Sequence, residues 1–525
     1  MSKTDHMNIY KFKRIKNLRI LLALMLIIVS GDSFAQNSAS KPNIVYILAD
    51  DLGYGELGAY GQQKIETPNI DALAKSGMMF TQHYAFPVCA PSRYLLLTGK
   101  NSGHAYIRDN NEWSERGDVW SLAAMEANPS LEGQLPVPGS TITIAKMLKK
   151  AGYQTGVVGK WGLGAPMTAG LPNNQGFDYF YGFICQRQDH TYYPGHLWEN
   201  NYRIPLNNKI IDPNVRLPSN LDSLDEKSYA AYQQKDYAPD FLIEAALGFI
   251  EKNKHNPFFL FYTTPLPHVS LQAPQKWIDY YHKKFGDEKP FLGGSYFPCR
   301  YPRATYAAMV STLDEEVGKM VKKLKETGTY ENTVIIFCSD NGPTYNGGSD
   351  SPWFNSGGPF KSEYGWGKGF VHEGGIREPL IVSWPRTIEQ GSKSDLISAT
   401  WDAMPTICEI AGVRPPRDIN GISFLPTLLG HARQQKKHAS LYWEFPSYGG
   451  QQAVRMGKWK AIRMDIRKGN MSLQLFNLDE DIREQHDVAS QHPDIVEKIK
   501  QIMKREHTTP EVASFQMEAL EQDAE

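Results

Sequence analysis

Cysteine is scarce: Cys89, Cys185, Cys299, Cys338 and Cys408 are the five in a chain of 525 residues. Their wide, irregular spacing argues against a zinc cluster and against a disulfide framework. Cys338 and Cys408 sit in apolar runs and read as buried thiols, while one pair among the others could bridge in an oxidising compartment. An excess of either charge is also missing, since 56 Lys and Arg face 57 Asp and Glu. Nucleic acid is therefore not an expected partner, and an anionic ligand must be held by a local cluster of Lys, Arg and His. Internal repeats are absent, and so is an apolar run long enough to span a bilayer; the best one, Ile20 to Val29, is too short. It follows Lys11, Lys13, Arg14, Lys16 and Arg19 and precedes Ser33-Phe34-Ala35-Gln36, the order of a secretory signal with cleavage after Ala35. No cysteine stands at that site, which disfavours a lipoprotein. The expectation is a signal peptide over residues 1–35 and a product without a stable membrane anchor.

What is present is enough chain for a large core, with 12% aromatic residues including 11 Trp. Residues 42–51 form a near-continuous apolar run ending in Asp50 and Asp51. Such runs read as buried parallel strands, and ligands of open α/β sheets collect at strand C-termini, so both carboxylates are candidate metal ligands. Taken alone, they also suit an ordinary turn. Thr333 to Ser339 repeats the pattern and ends in Asp340-Asn341-Gly342. These four residues offer only hard oxygen donors, which fits calcium rather than zinc, with magnesium second. Tyr153 to Gly164 is a strand entering a glycine-rich loop that carries Lys160, and Pro257 to Tyr262 is another that leads to His268.

The stretch Val88-Cys89-Ala90-Pro91-Ser92-Arg93 followed by Leu97-Thr98-Gly99-Lys100 reads as a loop feeding a helix start. A group there meets free N–H donors and the positive end of the helix dipole. A buried cysteine ahead of a core helix would look the same. Residues 101–140 and 174–200 are polar, aromatic and weakly periodic, and they read as loops over a site. Within them His104, Arg108, Trp113, Arg187, His190 and Trp198 are candidates for substrate contact. From about residue 436 the pattern changes to short alternating segments and a helix near 493–505, a small antiparallel sheet with a cover. The last fifteen residues are polar and read as mobile.

Cys-x-Pro-Ser-Arg with Leu-Thr-Gly-Lys resembles the signature of the formylglycine-dependent sulfatases, and further motifs follow in that family's order. Gly365 to Pro379 is similar to its Lys-Gly-x-x-x-Glu-Gly-Gly-x-Arg block. The resemblance implies an alkaline-phosphatase-like α/β fold, a large mixed sheet flanked by helices, with a catalytic domain over 36–430 and a C-terminal subdomain over 431–525. It implies that Cys89 is oxidised to formylglycine by a formylglycine-generating or anaerobic sulfatase-maturating enzyme. It also implies that Asp50, Asp51, Asp340, Asn341 and residue 89 hold Ca²⁺. Lys160 and Lys368 then bind sulfate, Arg93 offsets charge, His268 is the acid near the leaving oxygen, and Glu373 and Arg377 brace their loop. One position departs: Gly162 stands where the family has a histidine that touches the formylglycine hydroxyls, and His190 and His104 are the nearest candidates to replace it. The expected activity is hydrolysis of sulfate esters on a sulfated carbohydrate (algal galactan or ulvan, glycosaminoglycan or mucin glycan) in a periplasm or outside the cell. A phosphonate or phosphate ester hydrolase of the same fold, and a secreted glycan-binding protein with a disabled site, are the alternatives.

Overall fold

The structure is a computed structural model that describes residues 41–110 and 118–524. The segment read as a signal peptide and the candidate Trp113 lie outside these residues. Asn43–Ala49 forms strand β1, and every residue in it is buried. Ile44, Tyr46 and Leu48 enter one layer of the core, and Val45, Ile47 and Ala49 the other. Side chains alternate across a strand, so one covered on both faces reads as an unbroken apolar run, here broken only at its first residue, Asn43, which bonds to Thr333 and to the Phe258 N–H.

Ten more strands join it: β2 (Met78–Tyr84), β3 (Gln154–Lys160), β4 (Tyr179–Phe183), β5 (His196–Glu199), β6 (Tyr202–Pro205), β7 (Phe258–Thr263), β8 (Thr333–Ser339), β9 (Arg377–Ser383), β10 (Ser392–Ser394) and β11 (Ser398–Ala399). Their order is β10-β2-β9-β8-β1-β7-β3-β4-β5-β6, with β11 beside β2. β1 is parallel to β7 and β8, whereas β9 is antiparallel to both β8 and β2. The C-terminal ends of β1, β2, β3, β7 and β8 therefore share one edge with the N-terminal end of β9. The stretch 174–200, read from sequence as a loop, supplies β4 and β5, because Tyr179–Phe183 pairs with β3 although its own pattern is too irregular to reveal a strand.

Helices cover both faces. Cys89–Thr98, Ile144–Lys150 and Ala403–Ile410 pack on one, and Pro68–Lys75, Ala238–Asn253 and Pro302–Glu326 on the other. Among the described residues no helix is long and apolar enough to cross a membrane. All five cysteines are free and buried.

The second sheet is antiparallel, in the order β12 (Leu441–Phe445), β13 (Gln451–Met456), β14 (Trp459–Met464), β15 (Gln474–Asn477). One face, with Tyr442, Val454, Ala461 and Leu475, meets Ile499 and Met503 of helix Pro493–Glu506. The other, with Trp443, Ala453, Ile462 and Phe476, joins the core of the first sheet. Residues Pro42–Glu525 thus form one compact unit. The C-terminal residues do not remain loose: Phe515, Met517 and Leu520 are buried, the last two against Ile466, and Glu518–Ala524 is helical. Three apolar side chains in a polar segment are enough to dock it.

Lys460 of β14 is 0% exposed and links the sheets, with Nζ 3.0 Å from Glu373 Oε1 and 2.9 Å from Glu484 Oε1. Glu373 also receives Arg377 Nη1 at 2.9 Å and the Tyr84 hydroxyl at 2.8 Å. Gly374 follows because a Cβ there would lie 1.7 Å from the Lys361 carbonyl oxygen. Removing one member of a buried ion group strands its partners. Lys460→Met is expected to cost about 3–5 kcal/mol, read as a lower urea midpoint; an unchanged midpoint would show that the cluster contributes nothing.

Candidate active site

The shared edge collects the charged residues that follow the strands. Asp50 and Asp51 come directly after β1, Asp340 and Asn341 after β8, Lys160 at the end of β3, and His268 in the turn beyond β7. Lys368 arrives from the other direction, on the loop entering antiparallel β9. Cys89 is the first residue of the helix that follows β2, and Asn110 Oδ1 fixes that helix start by accepting from the Ala90 N–H at 2.8 Å. Asp51 has φ 65°, in the left-handed region that Asp tolerates better than most residues, and its N–H donates to Asp340 Oδ1 at 3.2 Å.

Lys160 Nζ lies 2.5 Å from Asp50 Oδ2 and 3.0 Å from Asp189 Oδ2. Lys368 Nζ lies 2.6 Å from Asp51 Oδ1. Arg93 Nη2 donates to Asp340 Oδ2 at 2.9 Å and stands 3.6 Å from Asp50 Oδ2, while its Nη1 donates to the Lys160 carbonyl at 2.8 Å. The Cys89 thiol is 3.4 Å from Asp50 Oδ1. His268 Nδ1 donates to the Val269 carbonyl, which leaves Nε2 facing Asp51 Oδ2 at 3.6 Å.

Burial pushes the Asp50 carboxyl up, but Lys160, His268, Arg93 and Lys368 together hold it far below the carboxylate range. Burial and the Asp50 charge push Asp340 up to about 7, and burial raises Asp51 as well. Burial alone would lower the two ammonium groups; Asp189 and Asp50 around Lys160, and Asp51 beside Lys368, raise both, so they stay charged. Burial and the neighbouring lysines keep His268 neutral. The Cys89 thiol is pushed up by burial and by Asp50.

Asp50, Asp51, Cys89 and Asp340 offer ligand atoms within 4.8 Å of one another. The buried Oδ1 of Asn341 accepts no hydrogen bond, while its Nδ2 donates to Asp51 Oδ1 at 2.8 Å. Clustered carboxylates that burial pushes toward protonation, together with an unused amide oxygen, fit a hard divalent cation.

Cys89, Lys160, His268 and Lys368 line an open cleft of about 1110 Å³, and the carboxylates lie buried against them. Arg187 and His190 line it, and His190 stacks on His268 with ring centroids 5.0 Å apart. Three other sequence candidates lie outside it. Arg108 is buried against Glu444, at 2.7 Å, and against the Gly103 and Ala105 carbonyls. Trp198 is buried in β5 with its Nε1 on Glu132 Oε1 at 2.8 Å. His104 pairs with Asn420 Oδ1 at 3.1 Å and lines a separate cleft with Lys100 and Asp418. Each is held by a hydrogen-bond partner within the fold, Arg108 by an opposite charge as well, which an aperiodic sequence does not reveal. The sequence reading missed Asp189, Gln186, Tyr296, Ser447 and Tyr448, all at this site. Asp189 and Gln186 carry no local signal; Tyr448, at φ 52° and 46% exposed, lies in the turn between β12 and β13.

The sulfatase family profile matches residues 42–413, and a second profile, N-sulphoglucosamine sulphohydrolase, C-terminal, matches 362–509. Arylsulfatase A of Homo sapiens is 31% identical over 455 residues, covering 84% of this chain and 77% of its own. N-acetylgalactosamine-6-sulfatase of Homo sapiens is 30% identical over 411 residues, covering 75% and 67%. The crystal structure of Ps i-CgsB matches with a TM-score of 0.69 at 27% identity, over 92% of this chain and 98% of that one, and it has also been solved in complex with k-i-k-neocarrahexaose. The first profile runs from β1 past β11 to the helix Ala403–Ile410 and so takes in every strand end of the charged edge; the chain belongs to the sulfatase family and hydrolyses sulfate esters.

Proposed function

We propose that the substrate is a sulfated polysaccharide or oligosaccharide, and that Cys89, matured to formylglycine, supplies the nucleophile beside a calcium ion held by Asp50, Asp51, Asp340 and Asn341. The observation that carries this reading is the convergence of Cys89, two lysines and the carboxylate cluster at the base of one wide cleft. The aldehyde hydrate of a formylglycine would offer a hydroxyl to the sulfur, and the cation would lower that hydroxyl's pKa and offset sulfate charge. Lys160 and Lys368, whose carboxylate partners would then face the cation, turn to the sulfate oxygens. Arg93 holds Asp340 and Asp50 in place and offsets charge that builds at the sulfur. His268, whose Nε2 holds no hydrogen while Nδ1 donates to Val269, would take up at Nε2 the proton released by the attacking hydroxyl and pass it to the alcohol oxygen as the ester S–O bond breaks.

The breadth of the cleft and its aromatic wall, with Tyr296, Tyr345 and Tyr448, support a glycan over a small aryl ester. The relatives named N-acetylgalactosamine-6-sulfatase and the complex with k-i-k-neocarrahexaose point to the same class. Export past the inner membrane, with the signal removed near Ala35, and maturation by a formylglycine-generating or anaerobic sulfatase-maturating enzyme belong to the same proposal.

The test is a panel of defined sulfated oligosaccharides from galactans, ulvan, glycosaminoglycans and mucin, with released sulfate measured by ion chromatography. Phosphate and phosphonate monoesters run alongside, and mass spectrometry reads the Cys89 peptide. Desulfation of at least one glycan, with an aldehyde in place of the Cys89 thiol, is the expected result. An unmodified thiol in turning-over enzyme would contradict the nucleophile, and turnover confined to phosphorus esters would contradict the substrate class.

A further inference from the structure

Gly162 lacks the histidine of the family pattern, and the structure shows what fills its place. The Trp161 N–H donates to the Phe183 carbonyl at 2.9 Å and the Gly162 N–H to that of Ile184 at 3.1 Å. These bonds carry the parallel pairing of β3 and β4 past the strand ends and draw residue 186 alongside 162. A Cβ on Gly162 would stand 2.9 Å from Gln186 Oε1, and the three atoms nearest to it all belong to Gln186. Gly162 itself has φ 73°, a conformation that a β-carbon resists. The carboxamide therefore occupies the volume that a side chain at 162 would enter, and neither His190 nor His104 does.

Gln186 is 5% exposed and lines the catalytic cleft with Cys89 and Lys160. Its backbone N–H donates to Gln134 Oε1 at 3.0 Å, which fixes the loop independently of the side chain. Its Oε1 is buried and accepts no hydrogen bond. An amide oxygen that is bonded to nothing does not fix the carboxamide in one orientation, so the group can turn toward what enters the cleft. A carboxamide brings two donors and one acceptor with no charge, and turning about its last bond presents either end. Unlike an imidazole, it cannot take up a proton at working pH.

We propose that Gln186 is a sulfate-contact residue, its carboxamide standing in for the side chain absent at 162 and donating a hydrogen bond to a sulfate oxygen beside Lys160. Proton transfer at the site then falls to His268. The proposal rests on the sulfatase activity and not on the identity of the glycan.

The experiment uses the matured full chain, with 4-nitrophenyl sulfate as substrate and inorganic sulfate as inhibitor. Gln186→Met keeps the bulk and removes the hydrogen bond; Gln186→Glu keeps the shape and adds a repelling charge. Gln186→Met is expected to lower kcat/KM by about 10- to 100-fold and to weaken sulfate inhibition by about tenfold. Gln186→Glu should lose more, and both should melt within about 2 °C of the parent. A Met variant that keeps kcat/KM and sulfate inhibition within about threefold of the parent makes Gln186 a filler and overturns the proposal. Failure of the nucleophile reading would look different, since the parent and its Cys89→Ala variant would then turn over alike.

Discussion

Cys89→Ala is expected to reduce sulfate-ester turnover by about 10⁴-fold or more while leaving the fold intact. The side chain is 2% exposed at the first position of its helix, where its one polar contact is the 3.4 Å approach to Asp50. The exchange removes one small polar group, the thiol or the aldehyde that replaces it, so the stability change should stay within about 1 kcal/mol. Lys160, Lys368 and Arg93 keep their carboxylate partners without the thiol, and the variant should still bind inorganic sulfate. Sulfate release and thermal melting, measured on one preparation, separate the two effects. More than a trace of turnover would place the nucleophile elsewhere.

Asp340→Asn should lose bound metal and turnover together. The amide oxygen can still accept from Arg93 Nη2, now at 2.9 Å from Asp340 Oδ2, so the guanidinium is not stranded. What disappears is one negative charge from a cluster whose other members are Asp50, Asp51 and the oxygen of Asn341. With few ligands, the loss of one both weakens the ion and removes its help to the nucleophile. A fall in kcat of about 10²- to 10³-fold is expected, with calcium content by elemental analysis falling in parallel. Exhaustive chelation of the unaltered protein should reproduce the loss, and calcium should restore it. Full activity after chelation would remove the metal from the reaction.

The carboxylates were legible because each pair ends a strand that is buried on both faces. An unbroken apolar run announces such a strand, and the first polar residues after it must lie at the sheet edge. Lys368 was legible only through the resemblance of its glycine-rich block to the family's, a block whose close packing, such as that of Gly374 on Lys361, shows in the structure alone. The orientation of β9 was not legible, because the apolar pattern of a strand is the same in either direction. Asp189 and Gln186 were missed for a related reason: β4 carries them to Lys160 and Gly162, and its pairing with β3 leaves no periodic trace. Arg108 and Trp198 show the converse error. A charged or aromatic side chain in an aperiodic segment looks available, yet Arg108 is neutralised by Glu444, 336 residues away. Tyr448 enters the cleft from the second sheet, whose docking through Trp443 and Lys460 is decided by tertiary contacts alone.

The position of β1 in the sheet has a consequence for how the chain is made. Its two partners are β7 and β8, in register from Ile44 with Phe259 and from Asn43 with Thr333. During synthesis the central strand emerges first and waits for both. Contacts this distant along the chain form slowly, because a long loop must close before any pairing rewards it. Cys89 lies inside that loop, and its burial depends on the edge that β1 and β8 complete. While the ribosome is still adding the residues beyond it, the cysteine belongs to an incomplete edge, and the maturation proposed for it would fall in that interval, before β8 is in place.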